Sequence, residues 1–423
     1  MNILLIGNGF DLAHGLPTKY TDFLEFCKRA NRIFTYAPGT SRETYIKNSL
    51  NGWKTKEEIK YELKNIYKDR IEEEKYRGIL IENIEKYKRS KKLYELYIFY
   101  KLTYNNFWIQ YFIDNNLYGK ENWIDFESKI SEVIQSVDID LKNDGNRLYD
   151  SYKVESTSKE YLGKYYDKIS KKINNSIKKF TYKELIDSLL LDLNCLIRAF
   201  EIYLSSFVDL GQIKKKSPDI ESLRIDFVLS FNYTNTFMKL YKYMIDLNKD
   251  DKVDFIHGKA DANNTIETNN MVLGIDEYLK KKKRNKQVEF IAFKKYYQRI
   301  HKETRCKYKE WLDMIRHDKK EVQNQLEIEY PKHIPFNDYE GQGKGHHLYI
   351  FGHSLDITDK DVLKEFILND NVFTTIYYRN HDQKGQQIAN LVKVIGQDEL
   401  IRRTGGGSAR TIEFKQQQDM RAV

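Results

Sequence analysis

The sequence predicts an α/β fold, a mainly parallel sheet carrying large helical insertions. Two observations lead there. The first is the opening stretch, where Ile3, Leu4, Leu5 and Ile6 run together without a charge and stop at Gly7-Asn8-Gly9. An unbroken apolar run is what a strand buried on both faces looks like, as in a parallel sheet. The second is repetition of that form. Asp226–Phe231 ends in Asn232-Tyr233-Thr234, Val253–Ile256 in His257-Gly258, Met271–Leu273 in Gly274, and Leu348–Phe351 in Gly352-His353-Ser354. Each is an apolar body with small or polar residues at its carboxyl end. Ligands of open α/β sheets bind beyond the carboxyl ends of the strands, so these ends are expected to converge on one site. Val372–Tyr378, rich in β-branched and aromatic residues, reads as a further strand.

Composition narrows the function classes. The chain has 423 residues, enough for two or three domains. With 5 Pro and 21 Gly it is poor in linker material, and at 40% hydrophobic and 31% charged residues it can bury a core and stay soluble. The net charge of +9 is spread along the chain, which permits nucleic-acid contact without requiring it. Its longest basic run, Lys280–Arg284, reads as a solvated loop. Cys27, Cys195 and Cys306 are too scattered for a disulfide framework or a zinc knuckle, and imply reduced thiols in the cytoplasm. No apolar stretch reaches membrane-spanning length, and Met1 leads straight into a strand with no signal peptide before it.

In chain order, residues 1–41 form the first part of the α/β domain, 42–215 a helical insertion, and 216–423 the remainder, with a helical excursion at about 278–344. Gly7-Asn8-Gly9 permits a tight turn whose bare N–H groups would hold an anion, most often phosphate. Gly15-Leu16-Pro17 then interrupts the helix begun at Phe10. The dinucleotide fingerprint G-x-G-x-x-G is not met, because residue 12 is Leu. An amphipathic helix follows Thr21-Asp22 with Phe23, Phe26, Cys27 and Ala30 on one face, and Glu57–Leu102 and Leu185–Leu210 have helical spacing. Asn143–Thr181 is polar and loop-like, His346-His347 precedes a strand, Arg403–Ser408 is a flexible hairpin or linker, Arg410–Phe414 is an edge strand, and Gln416–Val423 is frayed.

Several positions have two uses open. Asn232 ends a strand and serves either a ligand or the N-cap of the next helix. His257 ends another, with Gly258 keeping the backbone open beside it, and an imidazole titrates near neutral pH. His14, inside the first loop, ranks second. Gly352 makes a turn before a helix, where Thr358 and Asp361 resemble a capping box. Glu127, in Trp123-Ile-Asp-Phe-Glu127, reaches the ligand or merely follows a helix start whose Trp123 and Phe126 enter the core. No metal site is expected.

Gly7-Asn8-Gly9-Phe10-Asp11, three residues, then Gly15-Leu16-Pro17, resembles the first motif of sirtuin-like NAD-binding domains. The fuller wording, Gly-Asn-Gly-Phe-Asp-Leu with Gly-Leu-Pro-Thr-x-Tyr, is more similar to the AbiH family of bacterial abortive-infection proteins, as is the W-x-D-x-E stretch at Trp123–Glu127. The resemblance implies a Rossmann-like, sirtuin-like core. Ser230–Thr234 resembles the sirtuin T-Q-N-I-D segment, which implies that Asn232 meets the nicotinamide ribose and that Thr234 replaces an Asp. His257-Gly258 resembles the sirtuin His-Gly, implying a base, and Gly352-His-Ser354 resembles the G-T-S that touches the adenine-side ribose and phosphate. NAD+ as substrate would then be held by Gly7, Asn8, Gly9, Asp11, Gly15, Pro17, Gly258, Gly352 and Ser354, with Asn232 and His257 catalytic. The four-Cys zinc module of sirtuin deacylases is missing from the sequence, which turns the expectation from deacylation towards NAD+ hydrolysis. The implied role is depletion of NAD+ on a phage-derived trigger, with a homo-oligomer as an open partner. A non-catalytic NAD or ADP-ribose sensor and a nuclease or RNA-binding toxin are the alternatives.

Overall fold

The computed structural model describes residues 1–34, 91–114, 126–144, 162, 165, 181–245, 252–276, 288–304, 306–329, 345–407 and 410–422. The chain divides into two compact units. One comprises Met1–Leu16, Leu210–Lys259 and Glu303–Val423, the other Pro17–Asp209 and Ala260–Lys302.

The first unit is the α/β unit. Its strands are β1 (Asn2–Ile6), β2 (Lys215–Lys216), β3 (Phe227–Ser230), β4 (Val253–Phe255), β5 (His346–Phe351), β6 (Val372–Tyr378), β7 (Ile412–Gln416) and β8 (Arg421–Ala422). Six of them form one sheet in the order β4-β3-β1-β5-β6-β7, and every pairing is parallel. Leaving out β2, these strands stand third, second, first, fourth, fifth and sixth along the chain. That is the strand order of a Rossmann fold, whose connections reverse direction between its first and fourth strands, here β1 and β5.

Alternation along β1 covers both faces. Ile3 and Leu5 join Leu229, Leu348, Ile350, Trp311, Leu363 and Leu391 on one side. Leu4 and Ile6 join Val228, Phe351, Phe10, Phe237 and Tyr241 on the other. This explains why β1 has no polar alternation for a sequence reader to find. Four residues fully buried in one strand stabilise the fold by about 1.5–3 kcal/mol each.

Several local expectations are corrected. Met271–Leu273 is not a strand; the buried residues Met271, Val272 and Leu273 precede a single bridge, Ile275 to Lys294, in the second unit. His346 and His347 lie within β5 rather than before it. Arg403 belongs to the helix Gln397–Thr404, where it binds Glu399, Asp370, Thr411 and the Leu368 carbonyl. The tail is not frayed through residue 422. Gln418 binds both Asp219 carboxylate oxygens, at 2.7 and 2.9 Å, and β8 pairs antiparallel with β2. Short polar segments carry no periodicity, so these tertiary anchors were invisible in the sequence.

The second unit is helical. It contains helices Tyr20–Phe34, Lys91–Thr103, Phe107–Asp114, Phe126–Asp144, Tyr182–Ile202 and Lys295–His301. Thr181 and Glu184 close a capping box at the start of Tyr182–Ile202. The core is aromatic: Phe23 meets Phe99, Phe126 and Phe200 edge-on, and Phe126 stacks on Phe112 at 4.2 Å. Glu127 pairs with Lys295 at 2.8 Å while Phe126 is fully buried, so the core reading of that stretch holds there; Trp123 lies outside the described residues. Residues 57–90, most of 143–181 and 280–284 lie outside them too.

Candidate functional site

The turns after β1 and β5 interlock at the switch point. The Gly7 N–H donates to Phe351 O at 3.2 Å, the Gly9 N–H to Gly352 O at 2.7 Å, and the Phe10 N–H to Gly7 O at 2.8 Å. A methyl group on Gly9 would lie 2.8 Å from Gly352 Cα, and one on Gly352 would lie 2.1 Å from Phe10 N, at a φ of +69°. These residues are glycine because two backbones touch. That corrects the expectation of bare amides at Gly7 and Gly9: both N–H groups are engaged within the protein. Asn8 begins the helix Asn8–Ala13, and Gly15, exposed and at φ +80°, follows its end. Pro17 belongs to the second unit, where its carbonyl accepts from the Tyr203 hydroxyl.

Next to this crossing lie polar groups without partners. Asp11 and Asn232 are 1% and 4% exposed. Thr234 Oγ1 donates to Asp11 Oδ2, and Thr236 Oγ1 lies 3.0 Å from Thr234 Oγ1. Asp11 Oδ1 has no hydrogen bond, and neither do Oδ1 and Nδ2 of Asn232. The Asn232 amide lies close enough to favour the Asp11 carboxylate, yet makes no well-formed hydrogen bond with it. Burial pushes the Asp11 carboxyl up to about 6, against the opposing pull of Thr234, Thr236 and Asn232. Asn232 does not cap the following helix; Asn235 occupies that position. Its backbone is held instead by Ser230, whose hydroxyl accepts from Asn232 N and donates to Asn232 O. Buried side-chain amides are nearly always paired, which makes an orphan at a strand end a candidate position for a ligand.

On the same carboxyl edge, His257 follows β4 and Gly258 turns the chain at φ +79°. His257 Nε2 lies 3.4 Å from Asp359 Oδ1, and His353 Nε2 lies 3.5 Å from Asp359 Oδ2. Phe231 packs edge-on against both rings, at 5.3 and 4.5 Å. The loop after β5 is held from the helix His381–Ile395: Gln387 donates to the carbonyls of His353 and Tyr377, and Asn390 to that of Ser354. Ser354 itself is exposed, and Leu355, fully buried, adopts a strained φ of +60°. Such outliers cluster at functional loops that their surroundings over-determine.

His14 is different. Its Nδ1 lies 2.7 Å from Phe10 O and its Nε2 2.8 Å from the Tyr241 hydroxyl, which accepts from Ser217 N. Nδ1–H donating and Nε2 accepting satisfies every group, and burial holds its pKa below the usual histidine value. His14 is an architectural histidine.

Sequence reasoning missed His353 and Asp359. In the sequence His353 is only the middle of a glycine turn. Asp359 is hidden there by the capping-box pattern of Thr358 and Asp361, whereas in the structure Asp356 caps the short turn Ile357–Asp359, accepting from Thr358 N. Asp359 takes the N-cap position of the helix Lys360–Ile367 without making a side-chain cap bond. An N-cap carboxylate three residues from another acid that already caps was the available signal.

No curated protein matches the chain, and no solved structure does. No helix among the described residues is long and apolar enough to cross a membrane. The family model described as "Bacteriophage abortive infection AbiH" matches residues 3–378, which takes in the glycine crossing, Asn232, His257 and the Asp359 loop. The chain belongs to the AbiH family of bacteriophage abortive-infection proteins.

Proposed function

We propose that this protein is an NAD+ glycohydrolase that depletes NAD+ during phage infection. The observation that carries the reading is the pair of buried, unpartnered polar groups, the Asn232 amide and Asp11 Oδ1, at the switch point of a Rossmann sheet. The sirtuin-like wording around Gly7, Asn232 and His257 supports NAD+ as the ligand. The reaction breaks the bond between ribose C1′ and the nicotinamide nitrogen. Nicotinamide leaves as a neutral amine with the bonding electron pair, and the ribose becomes oxocarbenium-like. Asn232 would orient the ribose hydroxyls. The ionised Asp11 carboxylate would face the developing positive charge. His257 would take the proton of the water that adds to C1′, giving ADP-ribose. The Gly7 and Gly9 amides are engaged elsewhere, so the diphosphate would be met by other groups of the strand-end loops.

The unpartnered Asn232 amide and Asp11 Oδ1 would serve equally well in a binding protein for NAD+ or ADP-ribose that does not turn over. Incubation of the purified protein with NAD+, with and without phage lysate, separates the two. Release of nicotinamide, lost in Asn232→Ala, is expected. Saturable NAD+ binding by calorimetry with no release under any trigger would replace the enzyme by the sensor.

A further inference from the structure

We infer that Asp359 is a positioning residue for His257, and that His353 holds Asp359 in that role. Asp359 stands between two imidazoles, one oxygen towards Nε2 of each. The proton position on His353 follows from its other nitrogen. His353 Nδ1 lies 2.9 Å from Leu355 N and accepts that N–H, so in the neutral ring the proton sits on Nε2, facing Asp359. The carboxylate is further favoured by its place at the amino end of the helix Lys360–Ile367. A carboxylate so held draws the proton of His257 to Nε2 and leaves the lone pair of that ring on Nδ1. This is how a carboxylate fixes a catalytic imidazole in one tautomer and one orientation. A general base acts from within hydrogen-bond reach of the proton it takes, and its orientation is set by the carboxylate behind it.

The arrangement also accounts for two oddities. Asp359 occupies an N-cap position without capping because its oxygens are directed to the histidines. Leu355 tolerates its left-handed backbone because His353 binds its N–H and Asn390 and Gln387 hold the carbonyls before it. The tautomer assignment stands by itself. Its catalytic consequence rests on the glycohydrolase reading, and the tests separate them.

The first test uses 15N-labelled full-length protein at a pH where its histidines are neutral. The ring nitrogens of His257, assigned by their loss in His257→Gln, are expected to report Nε2–H in the wild type. In Asp359→Asn the carboxamide can donate, and the proton is expected to move to Nδ1. The same tautomer in both proteins, or Nδ1–H in the wild type, overturns the inference whether or not the protein cleaves NAD+.

The second test is kinetic. Asp359→Asn should lower kcat about 10²-fold or more with little change in KM, and Asp359→Glu should recover part of the loss. Two substitutions divide the roles of His353. His353→Gln keeps a donor towards Asp359 and loses the acceptor for Leu355 N–H, while His353→Asn does the reverse. Greater activity in His353→Gln supports the inference. Greater activity in His353→Asn, with both variants folded by circular dichroism, would show that His353 serves only the strained turn.

Discussion

Two buried histidines of the α/β unit, His14 and His257, differ little in exposure, 4% and 6%, and greatly in surroundings. His14 has one hydrogen-bond partner on each nitrogen, in a closed chain from Ser217 through Tyr241 to Phe10. His257 faces a carboxylate shared with a second imidazole, beside an amide and an acid with unmade hydrogen bonds. Burial alone therefore says nothing about role. A polar group whose bonds are all made inside the protein belongs to the fold; one buried with bonds unmade, as Asp11 Oδ1 and the Asn232 amide are, is a candidate for something that arrives. The same contrast separates the glycine crossing, where Gly7 and Gly9 are satisfied by their neighbours, from Asp11 Oδ1 and the Asn232 amide.

The contrast can be broken most forcefully at His257. His257→Ala should lower nicotinamide release by ~10²–10⁴-fold with the fold retained, whereas His14→Gln should lose stability and keep its rate per folded molecule. Undiminished release from His257→Ala, measured at matched concentration after circular dichroism, would put both histidines in the architectural class.

Gly9→Val comes next. With Gly352 backbone atoms 2.8 Å from the new Cβ, neither loop can yield cheaply. A loss of about 3 kcal/mol in urea unfolding is expected, the upper end for an overpacked site. A stable Gly9→Val that has lost only NAD+ affinity would restore the phosphate-cradle reading.

Asp11→Asn tests the unsatisfied class by its sign. Asp11 binds its proton more tightly folded than unfolded, with a pKa raised from 3.8 to about 6. Its contribution to stability is complete below about pH 4 and is lost as pH rises through 6. The loss is on the order of 3 kcal/mol, at about 1.4 kcal/mol per pKa unit. Asp11→Asn should therefore melt higher than wild type at pH 8 and show little advantage at pH 4, while losing activity, the usual mark of a functional residue. In the wild type, activity should rise with pH through about 6 as the carboxylate forms. A variant less stable at pH 8 than wild type would make Asp11 architectural.

The smallest effect is expected at Tyr241→Phe. Removing the hydroxyl between Ser217 N and His14 Nε2 should cost about 1–3 kcal/mol of stability and leave release unchanged. A rate change larger than the stability change would extend the site to His14.

The strand ends were legible without the structure. Mainly apolar runs closed by Gly7, Asn232, His257 and Gly352 announce a buried parallel sheet, because a strand covered on both faces carries apolar side chains on both. Periodicity likewise exposed the helices Tyr20–Phe34 and Tyr182–Ile202 of the second unit. Met271–Leu273 misled for the same reason: a short apolar run records burial, not strand pairing.

What the sequence determined by itself was the sheet, its carboxyl edge and the candidates Asp11, Asn232 and His257. Only the tertiary structure decided which hydrogen bonds each of them makes. It engaged the Gly7 and Gly9 amides across the β1–β5 switch point, closed His14 into a chain with Tyr241, and brought Asp359 and His353 to His257 from much later in the chain. The physical reason is range. Apolar patterning is a local property set by the period of the backbone, whereas satisfaction of a buried polar group depends on residues that only folding brings within about 3 Å.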